Sequence, residues 1–169
     1  MAFRIGHSHD THRLEVGRDL VLGGVKIDYH KGLVGHSDAD LVFHTVSEAI
    51  IGALAMGDLG THFSDKDPKY KNISSSYFVV EAKKMLDEAG YVIANLDLTI
   101  YIEEPMMKPY TLIMKENLRK LLQLELNQIN IKATRGEGLG FIGSGEGASA
   151  ECVILIEKTA TLKKLNNLI

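Results

Sequence analysis

Apolar residues recur along this chain with two periods, and the switches between them predict the elements. Residues 3 to 8 read as a short strand, and "LVLGGVKID" (20 to 28) reads as a hairpin whose Gly23-Gly24 pair suits a turn with positive φ. In "SDADLVFHTVSEAIIGALAMG" (37 to 57), Val42, Val46, Ile50, Ala53 and Leu54 fall at helical spacing, with Ser37 or Asp38 available as cap and Gly57 as stop. Asp40, His44 and Glu48 fall four apart on the other face, where a polar stripe ordinarily meets solvent. Residues 58 to 72 carry Gly, Pro and charge without periodicity and read as a long loop.

A second helix is predicted from a Ser74 cap to Gly90, with Phe78, Val79, Ala82, Met85, Leu86 and Ala89 as its core face. Strand "NLDLTIYIE" (95 to 103) alternates Leu96, Leu98, Ile100 and Ile102 against Asp97, Thr99, Tyr101 and Glu103. A third helix follows from about Tyr110 to Leu122, then strands at 129 to 134 and 148 to 158. The fold expected is a single-domain α+β two-layer sandwich, helices on one face of a mixed sheet, spanning 1–158 with 159–169 as a tail that frays or packs against a partner.

Composition narrows the function. The 169 residues are 45% apolar and 24% charged, which suits a globular domain. A net charge of -3 argues against a polyanion-binding surface, because such affinity rests on many Lys and Arg contacts to phosphates; a small anionic ligand is compatible. The lone Cys152, in "SAECVILIE", reads as a buried small hydrophobe and fits a reducing compartment. No stretch approaches the roughly 20 apolar residues of a membrane span, and the start lacks the apolar region of a signal peptide.

Two motifs carry candidate chemistry. "GLGFIG" (138 to 143) satisfies the G-x-G-x-x-G spacing, yet glycine and then a β-branched strand follow it where a dinucleotide fingerprint needs a helix. A flexible connection between two strands is the reading, with glycines that let backbone amides approach a phosphate. In "IGHSHDTHR" (5 to 13), Asp10 and His12 are one residue apart, so on an extended segment both leave on the same side, as two ligands of one ion must. His44 can supply a third ligand if the first helix packs across the first strand. One carboxylate and two imidazoles stop one short of a closed structural zinc site, and without thiolate they suit zinc, manganese or iron.

The ordered segments "FRIGHSHDTHRL", "LVGHSDADLVFH", "GALAMGDLGTHFSDKDP", "NLDLTIYIEEP", "INIKATRGEGLGF" and "GSGEG" resemble, over almost the whole chain, the 2-C-methyl-D-erythritol 2,4-cyclodiphosphate synthases of the non-mevalonate isoprenoid pathway. The resemblance implies a homotrimer with active sites between neighbouring subunits. Each site closes 4-diphosphocytidyl-2-C-methyl-D-erythritol 2-phosphate into the cyclic diphosphate and expels CMP. It implies zinc on Asp10, His12 and His44, with Asp10 and His12 also contacting substrate, and a magnesium or manganese ion held on the CDP diphosphate with Glu137. His36 and Ser37 match the pair that holds the terminal phosphate, His36 in a catalytic role, and the helix start is expected to add amide donors there.

Asp58, Leu59 and Gly60 match the loop that takes the erythritol hydroxyls, and the stretch Phe63 to Asp67, with Asp65, would cover the substrate. Ile102, Pro105, Met106, Met107 and Lys108 would form the cytidine pocket, joined by Ala133 and Thr134 of the adjacent subunit; Phe141 is a further implied contact. Three positions depart from the family. Met106 follows Pro105 where lysine is usual, Arg135 replaces a threonine that acts on the phosphates, and Ser144 replaces an arginine near the threefold axis. Arginine supplies charge-assisted donors, so Arg135 is carried over as catalytic. His7 reads as a buried, hydrogen-bonded histidine. The resemblance implies a cytoplasmic protein, or a stromal one if a plastid transit peptide has been removed, with no nucleic-acid or membrane partner. Two other readings of the same residues are a zinc-dependent phosphohydrolase and a non-catalytic nucleotide-binding trimer.

Overall fold

The structure, a computed structural model, describes residues 3–64 and 66–159. Its elements in chain order are β1 (Phe3–Val16), β2 (Leu20–Leu22), β3 (Val25–Ile27), β4 (Lys31–Leu33), α1 (Leu41–Ala53), α2 (Leu59–His62), α3 (Ser76–Glu88), β5 (Tyr91–Tyr101), α4 (Thr111–Leu122), β6 (Ile129–Thr134), α5 (Gly140–Gly143) and β7 (Gly147–Lys158). Five strands make one mixed sheet in the order β4-β1-β7-β5-β6. All neighbours are antiparallel except β5 and β6, which α4 joins as a parallel crossover. The α+β sandwich with helices on one face stands as expected.

Alternation along β1 explains both its partners and the site. Gly6, Ser8, Asp10, His12 and Leu14 point to the helix layer, while the residues between them face outward. β1 runs far beyond residue 8 because β7 pairs with it from Phe3↔Glu157 to Arg13↔Gly147, and β4 takes over at Leu14↔Leu33. These ladder bonds outweigh the low strand propensity of the charged residues along it. β5 likewise starts earlier than the alternation suggests, at Tyr91, with a register shift between Ile93 and Asn95.

Helix α1 lies between the sheet and α3 and is buried on nearly every side, His44, Glu48 and Gly52 excepted. Its interior hydroxyls are satisfied locally: Ser47 donates to the Phe43 carbonyl at 2.7 Å, and Ser8 of β1 donates to the Thr45 carbonyl at 2.6 Å. The polar stripe therefore floors a cleft rather than facing open solvent. Asp40 does not belong to that stripe. Fully buried, it is the N-cap of α1, and Ser37 and Asp38 are not. Its carboxylate accepts from Val42 N (3.0 Å) and Phe43 N (3.2 Å) in the helix, and from Gly23 N (2.8 Å) and Gly24 N (2.7 Å) in the β2–β3 turn. Both glycines have positive φ, +57° and +71°, as a hairpin of this twist needs.

Three further expectations change. The second helix starts at Ser76 with Ser75, not Ser74, as its cap residue; the Ser75 hydroxyl makes no capping bond because it is turned toward Asp38 and His44, and Ser74 Oγ accepts the Ser76 amide at 3.4 Å. The loop at 58 to 72 contains α2, capped by Asp58, and a 3-10 turn at Pro68–Tyr70. The glycine-rich connection is closely packed: a side chain at Gly143 would run into the Gly138 backbone, and Gly143 N donates to Leu139 O at 2.9 Å. Cys152 is buried, and burial, with the Asp97 charge, pushes its thiol up to about 12, as suits a core residue. Among the described residues no helix is long and apolar enough to cross a membrane. Of the tail, residues 160–169 lie outside the described residues.

Candidate metal centre and active site

Packing α1 across β1 brings His44 over the inward side chains of Asp10 and His12. Asp10 Oδ2 lies 3.1 Å from His12 Nε2 and 3.2 Å from His44 Nδ1, and one donor atom from each residue falls within 4.8 Å of the others. The second ring nitrogens are engaged elsewhere. His12 Nδ1 is 2.6 Å from the Val34 carbonyl, and His44 Nε2 is 2.8 Å from Ser75 Oγ and 3.0 Å from Ser37 Oγ. Since a carbonyl only accepts, His12 Nδ1 carries the hydrogen and its Nε2 is left to face Asp10.

Burial alone would raise the Asp10 pKa, but the His12 and His44 rings, which donate to it and carry charge when protonated, outweigh that and hold the carboxyl far below the usual range. Burial opposes charge on His12, and the Asp10 contact reverses that and raises its pKa. One carboxylate oxygen and two imidazole nitrogens converging without thiolate fit a divalent ion such as zinc, manganese or iron, with room for a further ligand from the cleft.

The pKa shift of His12 has a measurable consequence. Without metal, a raised folded-state pKa contributes stability that is present below about 6.5 and is lost as pH rises through the folded value. Metal binding needs the neutral ring and strengthens over the same range. The zinc-induced rise in Tm should therefore widen from pH 6 to pH 8, and replacing His12 with Gln should flatten the trend; scanning calorimetry with and without zinc reads both.

The centre opens into a cleft of about 520 Å³ that includes His36, Ser37, Asp58, Leu59, Gly60 and Phe63. His36 Nε2 reaches the Asp67 carbonyl at 3.4 Å. Asp58 Oδ1 takes Thr61 N at 2.8 Å and Thr61 Oγ1 at 2.6 Å, which lowers its pKa. Asp65 lies outside the described residues. The expected amide donors of the first helix are not open to a ligand, since the Asp40 carboxylate already holds those of Val42 and Phe43.

A second cavity, of about 860 Å³, is bounded by Ile102, Pro105 to Lys108 and Ala133 to Arg135. The parallel register Ile100↔Ala133, Tyr101↔Thr134 puts both of its walls on one chain, where the expectation divided them between subunits. Met107 is buried beneath it and Met106 is exposed. Glu103 Oε2 accepts from Gly136 N at 2.8 Å and ties this wall to the following loop. Glu137 is exposed, 3.9 Å from Arg135, and neither it nor Phe141 borders either cavity.

Several neighbours escape a reading of the sequence alone. Glu48 borders the metal cleft, its pKa raised by burial and by the charges of Asp10 and Asp58; its spacing of four from His44 was the available signal. Phe78 and Tyr70 enter from α3 and the 3-10 turn, Tyr29 and Thr111 reach the second cavity, and no local motif marks any of them. His7, expected to be buried, sits on the outward face of β1 and is exposed.

Fold and donor set together define a class: a two-layer α+β protein with a candidate divalent-metal centre open to a ligand cleft. Residues 3–157 match the YgbB family, and relatives at nearly half identity agree, so the chain belongs to that family, the 2-C-methyl-D-erythritol 2,4-cyclodiphosphate synthases. The Clostridium perfringens synthase is 49% identical over 92% of this chain and 99% of its own. A solved structure of the bifunctional IspDF of Campylobacter jejuni superposes with a TM-score of 0.89 at 34% identity, over 92% of this chain and 42% of that longer one. The Plasmodium falciparum IspF in a CDP complex superposes at 0.83 with 30% identity, over 93% and 97%.

Proposed function

We propose that this chain converts 4-diphosphocytidyl-2-C-methyl-D-erythritol 2-phosphate to 2-C-methyl-D-erythritol 2,4-cyclodiphosphate with release of CMP. The observation that carries the reading is the convergence of Asp10, His12 and His44 at the floor of a cleft that also contains His36, Ser37 and Asp58. An oxygen of the 2-phosphate attacks the β-phosphorus of the CDP group; that P–O bond forms as the bond from the β-phosphorus to the bridging oxygen of CMP breaks, and the bridging oxygen leaves with the electron pair. The protein needs no nucleophile of its own, so its work is alignment and charge neutralisation.

His36 and Ser37 hold the terminal phosphate at the attacking end, and Asp58 accepts from the erythritol hydroxyls. Ile102, Met107, Ala133 and Thr134 receive the cytidine, and Arg135 offers fork-shaped donors to the diphosphate. Zinc held by Asp10, His12 and His44, and magnesium or manganese held with Glu137, supply Lewis-acid neutralisation of phosphate charge when bound. Residues 1–158 carry the activity, in the cytoplasm.

The reading includes a homotrimer with sites shared between neighbours. It is supported by the outward sheet face, where Phe3 (49%), Ile5 (70%) and Val153 (46%) stand exposed, and by Glu137 and Phe141, which border neither cavity of their own chain. Ile5→Lys should shift the mass measured by light scattering from trimer to monomer and remove activity; a fully active monomeric wild type would refute the assembly. For the reaction itself, phosphorus NMR of protein, substrate, zinc and magnesium should show CMP and a cyclic diphosphate. Linear products carrying oxygen from labelled water would mean hydrolysis, and no turnover would sink the proposal.

A further inference from the structure

We propose that Asp38 and Ser75 form a proton-ordering relay behind His44 that keeps the hydrogen on Nε2 and leaves the lone pair of Nδ1 to the metal centre. The inference rests on reading Asp10, His12 and His44 as ligands of one ion. Asp38 precedes α1 and Ser75 precedes α3; the packing of these two helices brings the residues together. Ser75 is fully buried, with its Oγ 2.5 Å from Asp38 Oδ1, 2.8 Å from His44 Nε2 and 3.0 Å from Ser37 Oγ.

Counting hydrogens orients the chain of contacts. The Asp38 carboxylate has no hydrogen to donate, and it also accepts the Ser75 amide at 3.1 and 3.2 Å and the Asp40 amide at 3.3 Å. The single hydroxyl hydrogen of Ser75 therefore goes to Asp38, and its oxygen meets His44 only as an acceptor. His44 Nε2 also lies 3.0 Å from Ser37 Oγ, but a hydrogen from that hydroxyl would leave Ser75 Oγ and Nε2 as two acceptors 2.8 Å apart, so Nε2 carries the hydrogen. A neutral imidazole has one, so Nδ1, 3.2 Å from Asp10 Oδ2, presents a lone pair to the centre. The remaining lone pair of Ser75 accepts the Ser37 hydroxyl, and among the described residues no buried side-chain nitrogen or oxygen is without a partner.

His12 solves the same problem with the main chain, through Val34. The two imidazoles thus face Asp10 with opposite ring nitrogens, one ordered by a carbonyl and the other by a buried side-chain relay. Asp38 and Ser75 are positioning residues, acting through His44 as outer partners of ligating histidines do.

The test reads tautomer and affinity separately. Long-range proton–nitrogen NMR of metal-free, histidine-labelled protein at pH 8 should show His44 as the Nε2–H form, and Ser75→Ala and Asp38→Asn should populate the other form. In the asparagine variant the amide can donate to Ser75 and reverse the relay. Zinc binding, measured by competition with a chromogenic chelator, should weaken about 10- to 100-fold in both variants with an unchanged circular dichroism spectrum, and Ser75→Thr should recover to within about threefold of wild type. A wild-type His44 in the Nδ1–H form, or a folded Ser75→Ala or Asp38→Asn protein with unchanged tautomer and zinc affinity, overturns the relay. A wild type that binds no zinc overturns the metal-site reading instead, while the metal-free spectrum still decides the relay.

Discussion

Asp10→Ala should strip the centre of its divalent ion and lower kcat/KM by about a thousandfold or more, leaving the fold intact. Asp10 Oδ2 contacts one nitrogen of each ring, at 3.1 and 3.2 Å, so its removal takes away the carboxylate between the two imidazoles. A site that neutralises phosphate charge supplies several kcal/mol of transition-state stabilisation, and about 4 kcal/mol corresponds to three orders of magnitude in rate. Metal content by plasma mass spectrometry and turnover should fall together. Loss of turnover at full metal content would detach Asp10 from the metal and leave it only a substrate contact. His44→Ala should behave alike, because α1 supplies the third ligand from the opposite layer.

The largest effect on stability is expected at Asp40, a residue without contact to substrate in this reading. Its carboxylate joins the β2–β3 turn to the start of α1 through four backbone amides. Burial pushes its pKa up to about 6, against the pull of those amides, and the Asp38 charge adds to the rise. Asp40→Ala removes the helix cap and orphans buried donors at about 1 to 3 kcal/mol each, for a loss of about 4 kcal/mol. In a chain of this size that lowers Tm by roughly 8–16 °C. Asp40→Asn keeps one oxygen but sets amide hydrogens against one of the four donors, so about half of the loss is expected. Thermal unfolding by circular dichroism checks both; an alanine variant within about 1 kcal/mol of wild type would show that water replaces the carboxylate.

Asp40 also illustrates how far local pattern carries. Its spacing of four from His44 and Glu48 suggests a shared polar face, yet Asp40 precedes the first turn of α1 and is fully buried. Which of Ser37, Asp38 and Asp40 caps the helix depends on the approach of the Gly23-Gly24 turn, a contact from 17 residues away that periodicity does not encode. Ser75 is similar. It looks like an ordinary helix-start serine, and only the packing of α3 on α1 turns its hydroxyl toward His44.

The glycine-rich segment errs in the opposite direction. Its composition suggests slack, whereas its glycines are there because backbone passes within contact of backbone at Gly138 and Gly143. The second cavity depends on a strand register as well, since Ile102 to Lys108 and Ala133 to Arg135 meet because β5 and β6 run parallel.

Local periodicity by itself determined the long helices, the alternation of β5 and β6, the α+β class, and the placing of Asp10 and His12 on one side of a strand. These follow from the 3.6- and 2-residue repeats, which each segment carries whatever surrounds it. Packing decided that His44 closes the set, that Glu48 and Ser75 stand beside it, that Asp40 is a buried cap, and that Glu137 points elsewhere. Each of those depends on distances between segments far apart in the chain, set by helix-on-sheet contact and by strand order rather than by neighbouring residues.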